Sequence, residues 1–133
     1  MTKGTGSLGR MYQDGEVVFR QGDEGACMYV IQEGQVEVTM ETDGREVRLA
    51  VLGANDFFGE MAVFTRETRA ATVRALGKAR LLTVDKKTFF QRIQQDPSLA
   101  FRLVETMSHR IQGMNEEVAR MRRAVEAAPN IQA

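Results

Sequence analysis

A chain of 133 residues can bury one hydrophobic core and is too short for two ordinary domains, so one fold with an appendage must carry the function. Lysine plus arginine and aspartate plus glutamate both number 18, a zero formal charge that excludes a generally basic nucleic-acid-binding surface. One cysteine and one histidine exclude an intrachain disulfide and a histidine-rich metal site, and no apolar run of membrane-spanning length is present, so the expectation is a cytoplasmic protein with no membrane partner.

Met1 to Gly9 holds three glycines with serine and threonine and reads as a flexible leader, residues 1–9, outside the fold. From there to about Val84, Gly15, Gly22, Gly25, Gly34, Gly44, Gly53 and Gly59 separate apolar runs of strand length, an all-β rhythm. The clearest hairpin pairs Val36 to Glu41 with Glu46 to Val51 across Asp43-Gly44, and its period-two alternation turns Val36, Val38, Met40, Val47, Leu49 and Val51 inward. Further strands are expected at Val17 to Arg20, Met28 to Gln32, Thr72 to Arg74 and Ala79 to Val84. That number of short strands predicts a mainly β fold, a jelly-roll β-barrel (double-stranded β-helix), with helices at its C-terminal end.

At Asp85 the period changes. Asp85 is a good N-cap, Val84 and Phe89 occupy the two positions of a hydrophobic staple, and Phe89, Phe90 and Ile93 recur helically, so a short helix closes the barrel region, residues 10–96. Asp96-Pro97 then supplies an N-cap and a first-turn proline for a long helix over 97–128, before a short tail over 129–133. Along it Val104, Met107, Ile111, Met114, Val118, Met121 and Val125 alternate at three and four residues, a heptad seam with β-branched residues at one position and methionine at the other. Such a stripe either packs on its own barrel or pairs two copies. The narrow seam and the length of the rod favour a parallel, coiled-coil-like homodimer, with Glu117 and Arg122 flanking it.

Chemistry concentrates where the strand pattern breaks. Phe58-Gly59-Glu60-Met61-Ala62 is followed, after a short gap, by Arg69-Ala70-Ala71-Thr72-Val73. A glycine before helix-forming residues presents main-chain N–H groups, and a nearby arginine completes a site for an anion such as phosphate. A carboxylate there would repel phosphate unless it accepts hydrogen bonds from ligand hydroxyls, which makes Glu60 point to a ribose. The same residues also permit a plain Glu60 to Arg69 salt bridge across a β connection. Cys27 reads as a small buried hydrophobe, and His109, alone on the long helix, as no ligand.

This segment resembles the phosphate-binding cassette of the cyclic-nucleotide-binding domain superfamily, with a spacing like that of protein kinase A regulatory subunits. The likeness extends to Val18-Phe19-Arg20-Gln21-Gly22-Asp23, to Met28 through Val36, and to the terminal helices, which resemble those of the catabolite activator family; in all it runs from about Val17 to Val125. The resemblance implies that Glu60 accepts the ribose 2′-hydroxyl, that Arg69 pairs with the cyclic phosphate, and that main-chain N–H groups around Met61, Ala62, Ala70 and Ala71 complete the cradle. It also brings Met114 and Asn115, one from each subunit, to the positions that reach the adenine; the alternatives are that Met114 serves only the heptad seam and that Asn115 is a solvated flanking position. Relatives selective for cyclic GMP often carry a hydroxyl after the cassette arginine. Here that residue is Ala70, so cyclic AMP is the expected ligand and cyclic GMP the less favoured one. Two departures are Thr68, where many members have proline, and the expected absence of a DNA-reading helix-turn-helix after Val125.

The function implied is a sensor module that binds cAMP and transmits occupancy through its C-terminal helix. The alternative is a ligand-free dimerisation scaffold with a degenerate pocket. No poised acid, base, nucleophile or metal cluster accompanies Glu60 and Arg69, so no enzyme is expected.

Overall fold

The computed structural model describes residues 9–65 and 67–127; expectations for residues 1–8 and for 128–133 lie outside the described residues. Strands β1 (Arg10–Tyr12), β2 (Val17–Phe19), β3 (Cys27–Thr42), β4 (Arg45–Leu52) and β5 (Phe57–Phe58) precede a one-turn helix α1 (Met61–Phe64) and strand β6 (Thr72–Asp85). Helices α2 (Lys86–Gln95) and α3 (Ser98–Ala127) follow. All pairing is antiparallel, in the order β1-β6-β3-β4, with β2 also on β6 and β5 also on β3. The β character and the C-terminal helices are those expected. Among the described residues, however, the pairing path does not return from β4 to β1, so the sheet is an open roll rather than a closed barrel.

Two long strands dominate. β3 pairs with β6 from Cys27 opposite Asp85 to Thr39 opposite Thr72, and each absorbs two of the short strands read from the sequence. Gly34 at φ +85°, read from the sequence as a break, lies inside β3, and Gly77 at φ +75° lies inside β6. Register shifts at Ile31/Glu33 and Glu33/Gln35 show that the ladder bulges around Gly34 without ending. A side chain at Gly34 would strike the Lys78 carbonyl.

The hairpin turn is as expected, with Asp43 at φ +54° and Gly44 at φ +76°, the left-handed pair that a two-residue turn requires. Its inward set is not. Val36 is fully buried and Val38 and Met40 are partly so, but Val47, Leu49 and Val51 are exposed, Leu49 by 52 %. The register gives the reason. Val38 faces Ala50 while Thr39 faces Arg48, which leaves Leu49 as an extra residue, and this offset puts Leu52 and Ala50, not Val51 and Leu49, opposite the buried positions of β3. Val47 faces Met40 on what is already the outermost strand of the sheet.

Tyr12, Ile31, Val36, Phe58, Val73, Ala75, Ala79 and Leu81 form the core, with Phe19, Tyr29 and Leu52 packed against it. β1 and β5, only three and two residues long, each contribute one of these residues. Asp85 caps α2 as expected: its Oδ1 accepts the Thr88 N–H at 2.7 Å, and the staple residues Val84 and Phe89 are both buried. Asp96 Oδ1 accepts the Ser98 N–H at 3.2 Å at the start of α3. The chain divides into two compact units, one reaching Phe90 and the other starting at Gln91. On α3 no residue is buried; Val104, Ile111, Met114, Val118, Met121 and Val125 are exposed, and Met107 is partly covered.

Candidate functional site

Gly59 follows β5 with a φ of +76°, which favours glycine, and a side chain there would also press on Arg69 Nη1 at 2.8 Å and on the Phe19 ring at 3.3 Å. Phe58 before it is buried and stacks on Tyr29 with centroids 5.2 Å apart. Glu60 precedes α1 as its N-cap residue and is 9 % exposed, an unusual depth for a carboxylate. Met61 is exposed. The Ala62 N–H donates to the Gly59 carbonyl at 3.2 Å, so this part of the expected cradle is engaged within the turn itself.

Arg69 is 7 % exposed, and its environment explains how a guanidinium lies so deep. Nη1 donates to the Gly59 carbonyl at 3.0 Å and Nη2 to the Cys27 carbonyl at 2.9 Å. Cζ lies 4.1 Å from the centroid of the Phe19 ring and 5.9 Å from that of Tyr29. The main chain is held as firmly: the Arg69 N–H donates to the Asp23 carbonyl and the Gly22 N–H to the Arg69 carbonyl, both at 2.8 Å. One guanidinium nitrogen is left over. Among the described residues Arg69 Nε is buried with no hydrogen-bond partner, a state that costs about 1–3 kcal/mol and that an anionic acceptor would relieve.

Phe58, Gly59, Glu60, Met61, Ala62 and Arg69 therefore belong to one constellation, with Ala70 exposed and Ala71 partly buried just before β6. Met114 and Asn115 lie on α3, in the second unit, and are both exposed. Sequence reasoning assigned no role to the residues that hold Arg69: Phe19, Gly22, Asp23, Cys27 and Tyr29. Cys27 is only partly buried, and its contribution is its carbonyl; the sulfur is a long 3.9 Å from Nη2. Burial pushes the Tyr29 phenol well above its ordinary range, and a hydrogen bond with Cys27 pushes in the same direction. A cavity of about 470 Å³ backs onto the same segment, lined by Glu24 to Ala26, Ala62 to Thr65, Glu67, Thr68 and Lys86, but by neither Glu60 nor Arg69.

The family model of the cyclic nucleotide-binding domain matches residues 9–96. This chain belongs to the cyclic nucleotide-binding domain family. The chain is 40 % identical over 113 residues to a candidate potassium channel protein of Rhodopseudomonas palustris, covering 83 % of this chain and 27 % of that one. It is 41 % identical over 83 residues to the cAMP-dependent protein kinase type II regulatory subunit of Drosophila melanogaster, covering 62 % of this chain and 22 % of the subunit. Its fold superimposes on the Thermus thermophilus catabolite activator protein with a TM-score of 0.76 at 28 % identity, over 84 % of this chain and 53 % of that one. The chain spans about a quarter of the length of these two curated relatives. Among the described residues of this cyclic nucleotide-binding domain no helix is long and apolar enough to cross a membrane.

Proposed function

We propose that this cyclic nucleotide-binding domain binds cAMP in preference to cGMP and acts as a cytoplasmic regulatory module without catalysis of its own. The observation that carries the reading is Arg69: a buried guanidinium fixed by two carbonyls and a ring, with Nε as the donor left for a phosphate oxygen. Glu60, buried within the same segment, accepts the ribose 2′-hydroxyl. Ala70 offers no hydroxyl to a guanine, which supports the preference for adenine.

Occupancy passes to the C-terminal helices. Phe64, the last residue of α1, meets Phe89 of α2 edge-on at 5.3 Å, so a shift of the cassette is felt at the helix that leads into α3. A ligand that binds one arrangement of these elements better than another shifts their populations. The exposed seam on α3 pairs with a second copy of the chain, because its heptad spacing and its alternation of β-branched residues with methionine suit a parallel two-stranded coil.

The test is a titration of the purified chain with cAMP and cGMP, with light scattering of the same samples. Saturable binding with cAMP tighter supports the proposal. Dimers without any nucleotide binding would favour the second reading, a scaffold, to which the exposed seam alone would belong.

A further inference from the structure

We infer that Gly25, outside the segment that meets the nucleotide, is a positioning residue whose missing side chain lets Arg69 take its phosphate-binding pose. The inference rests on the reading of Arg69 as the phosphate ligand. The loop between β2 and β3 is a tight, self-closed piece: the Arg20 N–H donates to the Asp23 carboxylate and the Asp23 N–H returns to the Arg20 carbonyl, both at 3.0 Å. Through Gly22 and Asp23 this loop already pins the main chain of Arg69. Two residues further on it reaches the side chain.

A Cβ built on Gly25 falls on Nη2 and Nε of Arg69 and within 2.6 Å of Cζ; its three nearest atoms all belong to the guanidinium. The backbone of Gly25 lies outside the left-handed region, so its conformation does not itself demand glycine. At Gly34 the obstacle is the Lys78 carbonyl, part of the sheet. At Gly25 it is the mobile end of one side chain. A methyl group there is accommodated by moving Arg69 off Phe19 and off the Cys27 carbonyl, and the nitrogen displaced with it includes the partnerless Nε.

The experiment is a double-mutant cycle of Gly25→Ala and Arg69→Ala on the full chain, read by cAMP titration and by thermal melting without ligand. Gly25→Ala weakens binding on the order of tenfold to a hundredfold, the size of one charged hydrogen bond. In the Arg69→Ala background the same change costs nothing further, within about twofold. Wild-type affinity in Gly25→Ala, an equal loss in both backgrounds, or a double variant that no longer folds would each overturn the inference; a Gly25→Ala that unfolds alone but folds with Arg69→Ala upholds it. If the wild type binds no cyclic nucleotide, the functional proposal fails, and the melting arm still reports whether the two residues are coupled.

Discussion

The guanidinium of Arg69 rests on the ring of Phe19, 4.1 Å from Cζ to centroid, although the two residues are fifty positions apart in the sequence. The ring and the two carbonyls make burial of the cation tolerable, and they orient Nε, the guanidinium nitrogen that has no hydrogen-bond partner among the described residues. Arg69→Ala removes that donor and the opposing charge together. Charged hydrogen bonds contribute about 1.5–3 kcal/mol each, so nucleotide affinity falls on the order of a hundredfold in a titration at fixed salt.

Glu60 is tested with a matched ligand pair. Glu60→Ala weakens binding of cAMP by roughly tenfold or more, while the 2′-deoxy analogue, which has no hydroxyl to donate, loses far less. Equal losses for the two ligands would remove the ribose assignment.

Ala70 is exposed at the entrance to β6, so a hydroxyl can be added there without overpacking the core. Ala70→Thr improves cGMP binding by roughly tenfold, the value of one new hydrogen bond, and leaves cAMP nearly unchanged. Competition binding of the two nucleotides to wild type and variant checks this.

Ile111 sits at the centre of the α3 seam and is exposed in the single chain. In a dimer Ile111→Glu brings two carboxylates together in a buried seam, which is strongly unfavourable, so light scattering reads a monomer where the wild type reads a dimer. A wild type that is monomeric at high micromolar concentration with nucleotide present contradicts the pairing.

The N-cap of α2 gives a pH signature. The main-chain N–H of Thr88, the largest influence, holds the Asp85 carboxyl below its ordinary range, with a further contribution from the Thr88 side chain. A folded-state value below the unfolded one means that the cap contributes fully above about pH 4 and loses its contribution as pH falls through the depressed value. Asp85→Asn keeps an acceptor that does not titrate. Its Tm therefore declines less steeply than the wild-type Tm on acidification below that range. Asp96 and Glu46 are held low as well, so the difference between variant and wild type is the quantity to follow.

What was legible in the sequence was local. The Asp43-Gly44 turn, the Asp85 cap and the contiguous run from Phe58 to Ala62 declare themselves because their chemistry lies within a few residues. Gly34 misled, because glycine signals a backbone conformation and not whether the ladder continues past it. The extra residue at Leu49 was hidden since an alternating pattern cannot show where the partner strand slips. The surroundings of Arg69 were out of reach for a different reason: Cys27 lies 42 positions away and contributes a carbonyl, which every residue type possesses.

The most direct measurement is a calorimetric titration of the wild-type chain with cAMP at near-physiological salt, alongside Arg69→Ala. Saturation at one nucleotide per chain, much weakened in the variant, is the predicted result. Absence of saturable binding to the wild type, or the same affinity in both proteins, would contradict the account.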